Sequence, residues 1–211
     1  MSITHDDHLG KIGRQHRQTH MAKARDFSFI GRLCLDFAQT GDMGWGTRYE
    51  RLTKPAELGR WFMLCPLQVA LTSVAEADLR QALGLRTAIW RVSQALLAGD
   101  KPRVADIRRL NIDARRPSLV RALSPDGASM RWYRPNVAAA LAAIAQDAVL
   151  LFGDSQQRAR LRRCENSGCR AVFFDDSRPG ARRWCAANRC GDRMRAREYR
   201  RRHMRPAAGP R

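Results

Sequence analysis

The stretch that decides the reading is Cys164-Glu165-Asn166-Ser167-Gly168-Cys169, followed after fifteen residues by Cys185-Ala186-Ala187-Asn188-Arg189-Cys190. Two C-x4-C pairs on two separate turns can wrap one tetrahedral metal ion through four thiolates. Between them, Arg170 to Asp175 has strand character, Ser177-Arg178-Pro179-Gly180 is a turn, and Arg182 to Cys185 reads as a second strand. Cys190 then opens a helix running to about His203. Knuckle, hairpin, second turn and helix together describe a treble-clef-like finger. A segment of about forty-five residues whose large apolar groups are Phe173, Phe174 and Trp184 cannot bury enough surface alone, so metal is expected to supply its stability. A shell of four thiolates leaves no position for substrate, which argues for a structural Zn²⁺ ion. Ligand identity alone also allows an iron–sulfur cluster. Four intervening residues differ from the C-x-x-C of thiol oxidoreductases.

Charge concentrates in the same place. The chain of 211 residues carries a net +19. Residues 158–205 hold sixteen Arg against five acids, so they supply +11 of it; residues 26–157 supply only +4. A codon bias toward arginine would raise Arg everywhere and does not explain a balanced body beside a basic tail. The asymmetry points to a polyanionic partner. Arg193, Arg197, Arg200 and Arg201 recur at helical spacing, Arg195 broadens the stripe, Arg182 and Arg183 lie on the second expected strand, and Arg189 lies on the turn between the second pair of cysteines. These eight are the candidate nucleic-acid-binding residues, and binding through six to ten phosphate contacts would be steeply salt-dependent. The competing readings are a solvated cationic face, or a protein-interaction module whose arginines bind an acidic partner. Tyr199 could stack on a base or pack on the finger.

Outward from the finger, the chain reads as an α+β protein with a mainly helical body and a small antiparallel sheet. Residues 1–25 are polar and aperiodic, and read as a disordered extension; residues 206–211 read as a disordered tail. Met21 is a second candidate initiator, because the hydrophobic pattern begins just after it. In the body, residues 26–157, Phe27 to Thr40 suggests a short strand entering a helix. Pro55 suits the first turn of a helix through Leu64. Ser73 and Glu76 have capping-box spacing ahead of a helix ended by Gly99. Helices are expected over Val104–Ala114 and Asn136–Phe152. Ser124-Pro125-Asp126-Gly127 closes a hairpin between 119–123 and 129–133.

Functional signals in the body are sparse. Asp36, Arg48 and Trp61 are candidate pocket residues; the plainer reading of Asp36 is a helix cap or an ion pair with Arg48. There is no phosphate loop, nucleophile elbow or His/Asp/Ser constellation, so catalysis is not expected. Cys34 and Cys65 sit singly in apolar contexts as core residues. No apolar run is long enough to span a bilayer and no signal-peptide h-region is present, so the chain is expected in the cytoplasm, with thiols reduced.

The finger resembles the CGNR zinc-finger family of bacterial proteins. The resemblance rests on the C-x4-C pair, Phe173, Arg183-Trp184-Cys185, and Cys190-Gly191-Asp192-Arg193 with its basic helix. Members of the family carry Asn where this chain has Asp192, and Asp192 is placed to pair with Arg189 or Arg195. The body resembles the ABATE domain that precedes this finger, through Leu35 to Thr40, Arg48, Glu50-Arg51-Leu52, Pro55, Leu58 and Trp61; the family pattern has Asn at Gln39. The resemblance implies a stress-induced transcription regulator with DNA favoured over RNA. It leaves the body to sense a small-molecule effector or to form a homodimer.

Overall fold

The computed structural model describes residues 27–42 and 50–203. The polar N-terminal stretch, Arg48 and the tail beyond His203 lie outside the described residues. About half of the described residues are helical, and they form two small antiparallel sheets. The elements run α1 (Leu33–Ala38), α2 (Pro55–Leu64), α3 (Glu76–Ala98), α4 (Val104–Ala114), β1 (Val120–Leu123), β2 (Met130–Tyr133), α5 (Val137–Gly153), α6 (Ser155–Arg158), β3 (Leu161–Arg163), β4 (Val172–Phe174), a π-turn (Ala187–Gly191) and α7 (Asp192–His203).

Helices α1, α3, α4 and α5 pack on one another around a core that includes Phe37, Trp61, Leu85, Ile89, Ile144 and Leu151. The periodicity of α3 explains its buried face: Ala82, Leu85, Ile89 and Val92 recur at spacings of three and four. Its start differs from the expected box. Ala75 is the N-cap, and the Asp78 carboxylate accepts the Ala75 N–H at 2.9 Å, two residues on from Ser73 and Glu76. Gly99 ends the helix at φ 76°, the left-handed conformation that a glycine adopts without strain. Asn136 caps α5 by accepting the Ala139 N–H. The hairpin pairs Val120 with Tyr133 and Leu123 with Met130, as the turn sequence predicts.

Two expected strands are not formed. Residues 27–32 have no strand partner; the Ile30 N–H instead donates to the buried Asp36 carboxylate at 2.6 Å. The partner of β4 is also different. Leu161–Arg163 pairs antiparallel with it, in the register Leu161 to Phe174, where Arg182–Cys185 was expected. The cause is Asp175, whose side chain accepts the N–H groups of Ser177 and Arg182. The Arg182 amide is thereby taken by a carboxylate and is not free for a ladder.

The finger is built into the body rather than tethered to it. Leu161 and Val172 belong to the main core, and Phe174 packs against that core. Only the thiols with Ala171 and Phe173 form a separate buried cluster. The segment 28–32 bridges the two. Ile30 packs against the thiol cluster, Ser28 Oγ accepts from Arg189 at 2.5 Å, and the Arg32 guanidinium lies 5.7 Å from the Phe174 ring centroid while pairing with Asp147. These contacts answer the shortage of apolar residues in the finger: it borrows burial from α1 and α3.

Candidate metal centre and basic face

Four sulfurs converge. The Sγ atoms of Cys164, Cys169, Cys185 and Cys190 lie within 4.8 Å of one another. Cys164 ends the β3 strand's run, and its N–H donates to the Ala171 carbonyl across the sheet at 2.9 Å. Asn166 closes the first knuckle: its carbonyl accepts the Cys169 N–H at 2.7 Å and its side chain accepts the Gly168 N–H at 3.0 Å. The π-turn presents Cys190, whose N–H donates to the Ala186 carbonyl, and α7 continues from it.

The geometry suits a tetrahedral ion. Metal–thiolate bonds of about 2.3 Å imply sulfur–sulfur edges of about 3.8 Å. Cys169 and Cys185 are 3.8 Å apart, and Cys185 and Cys190 are 3.7 Å apart. Cys164, Cys185 and Cys190 are buried and Cys169 is partly so. The crowded thiols perturb one another. A hydrogen bond from Cys185 draws the Cys169 thiol down to about 5, while burial pushes Cys164 up to about 11. One thiolate is thus accommodated while Cys164 and Cys185 resist ionisation; a bound cation would let the ligand thiols lose their protons.

Around this centre the eight candidate arginines separate into two groups. Arg182 pairs with Asp176, donates to the Cys185 carbonyl at 2.9 Å, and stacks 5.1 Å from the Phe173 ring centroid, so it braces the second knuckle. Arg183 pairs with Glu165 across the two knuckles at 2.6 Å. Arg195 pairs with Asp192 at 2.5 Å, one of the two partners open to that acid. Arg189 is held by Ser28. The second group lies along α7. Arg193, Arg197 and Arg200 line one groove of about 470 Å³ with Asn166, Gly168 and Ala196. Arg197 donates to Ser167 Oγ at 3.3 Å, a neutral partner. Arg201 is exposed on the same helix. Among the described residues none of these four has a carboxylate partner.

Asp36 and Trp61 are enclosed. Asp36 is 1% exposed and Trp61 fully buried, in contact with the rings of Phe29, Phe37 and Phe62. Asp36 does not cap α1 from the N-cap position. It sits inside the helix and reaches back to the N–H groups of Ile30 and Gly31, where Gly31 takes φ 109°. Burial raises its pKa to about 7, against those two amides, with Asp147 adding to the rise. Three residues that organise the finger were not among the site residues read from the sequence. Asn166 and Asp175 hold the knuckle and the loop after β4, and an Asx-type turn at Asn166-Ser167-Gly168 was the one legible hint. Ile30 carried none.

Two short knuckles, four convergent thiols and a helix leaving the second knuckle define a zinc-finger-type metal site joined to an α-helical body. The chain belongs to the ABATE family: the family model described as "Putative stress-induced transcription regulator" matches residues 31–155. The CGNR zinc finger model matches residues 160–203, immediately after it. No curated protein matches the chain.

Proposed function

We propose that the chain is a zinc-dependent nucleic-acid-binding regulator. Zn²⁺ closes the shell of Cys164, Cys169, Cys185 and Cys190 as a structural ion with no vacant position, and α7 carries the contacts to phosphate. The observation that carries this reading is that α7 starts at a ligand-bearing turn and presents Arg193, Arg197, Arg200 and Arg201 without acidic partners. A structural ion fixes the base of this helix, which has no buried residue of its own to hold it. DNA is the partner that the family description favours. The site lends itself to phosphate recognition by guanidinium forks rather than to catalysis. No helix of the described residues is long and apolar enough to cross a membrane. Reduced thiols at the centre fit a cytoplasmic setting.

A salt titration tests the reading. Four guanidinium–phosphate contacts give a log–log slope near −3.6 on duplex DNA, or about a 150-fold loss of affinity between 50 and 200 mM salt. The slope should flatten by about one on Arg197→Ala. No binding of zinc-loaded protein to DNA or RNA at low salt would overturn the proposal, and binding to an acidic polypeptide with the same arginines would replace it.

A further inference from the structure

The exposed face of α7 carries more than charge. Tyr199 is 63% exposed and does not pack on the finger. Its ring lies against that of His203, with centroids 4.0 Å apart and planes 23° from parallel. The His203 Nδ1 sits 2.9 Å from the Tyr199 carbonyl oxygen, which orients the imidazole over the phenol. Both rings are exposed and neither belongs to the core of the described residues. Helical geometry places the pair beside the arginine groove: Ala196 lines that groove, and Tyr199 and Arg200 follow it at i+3 and i+4. Ala196 is small, so no bulky side chain rises from the helix between the stacked rings and the guanidinium groups. Arg193 to Arg200 spans about 10 Å along the helix axis, room for a few nucleotides.

A groove with three guanidinium groups that meet no carboxylate, bordered by an exposed ring stack, has the two parts that single-strand recognition uses: cations that track phosphates and a π-face for an unstacked base. A duplex offers phosphates and base edges, while its base faces are stacked on one another and closed to such a platform. We propose that α7 and the first knuckle form a binding site for single-stranded nucleic acid, with Arg193, Arg197 and Arg200 on the backbone and Tyr199–His203 stacking on a base. The proposal rests on the nucleic-acid reading above and narrows it to one strand state.

Fluorescence anisotropy of full-length, zinc-loaded protein tests it with a labelled dT20 strand, an rU20 strand and a 20-base-pair duplex at one salt concentration. Either single strand is expected to bind at least tenfold tighter than the duplex, and the better of the two names the sugar. Tyr199→Ala should weaken single-strand binding about tenfold and leave duplex binding unchanged, whereas Tyr199→Phe, which keeps the π-face, should stay within about twofold of the native chain. Arg197→Ala should weaken both forms alike. A duplex bound as tightly as the strands, or equal losses on strand and duplex from Tyr199→Ala, overturns the single-strand assignment while leaving the nucleic-acid reading standing. Absence of binding to all three probes overturns both.

Discussion

Replacing Asp36 by Asn should change how stability depends on pH, by an amount the burial of this carboxyl sets. Asp36 is 1% exposed; its Oδ1 accepts the Ile30 N–H, and its Oδ2 has no partner. Burial moves its pKa from 3.8 to about 7. A carboxyl raised in this way binds its proton more tightly when folded, so its favourable contribution is whole below pH 3.8 and is lost as pH rises toward 7. The full loss is about 4 kcal/mol, at 1.36 kcal/mol per unit. Between pH 5.5 and 8.5 the linkage relation leaves about 2 kcal/mol of that change. Asn keeps an oxygen for the Ile30 amide and cannot ionise. The difference in unfolding free energy between Asp36→Asn and the native chain should therefore move by about 2 kcal/mol in favour of Asn from pH 5.5 to 8.5. Urea unfolding of both zinc-loaded proteins at the two pH values measures it, and effects of pH on the thiol site cancel in the difference. A gap that does not change with pH, or that changes in favour of Asp, would refute the claim that a buried, ionisable Asp36 anchors the 28–32 bridge.

Two further substitutions probe the core and its join with the finger. Leu161→Ala removes a side chain that belongs to the finger's sheet by sequence and to the main core by packing, so it should cost about 2–4 kcal/mol and shift a single unfolding transition followed by tryptophan fluorescence; an unmoved body transition would show the two parts to be independent. Glu50→Gln leaves Arg86, whose side chain is 10% exposed, without the carboxylate that it meets at 2.5 and 2.6 Å. Partial exposure of Glu50 tempers the loss to about 2 kcal/mol, or a fall in Tm of roughly 5 °C by calorimetry, and no change would mean that the pair is solvent-compensated.

The helices were legible because their signals are local. Periodicity placed the buried faces of α3 and α5, Pro55 and Gly99 marked ends, and Pro125-Asp126-Gly127 placed the hairpin. The cysteine spacing was enough to name all four convergent sulfurs. What could not be read depended on side chains that intercept backbone groups. The amides of Ile30 and Arg182 go to Asp36 and Asp175, and two apparent strands disappear with them. Arginine count also overstated the number of guanidinium groups without a protein partner. Arg195 is neutralised by an acid three residues away, but Arg183 finds Glu165 eighteen residues back, and Arg189 finds Ser28 across 161 residues. Partnerships at that separation leave no periodic trace.

The central claim is a closed metal shell that holds α7 in place. Metal analysis of freshly purified protein tests it most directly. The account expects one zinc per chain, lost in Cys185→Ser together with the ellipticity of α7. Less than about half an equivalent of any metal in the native chain, with Cys164→Ser unfolding at the same urea concentration as the parent, would contradict it.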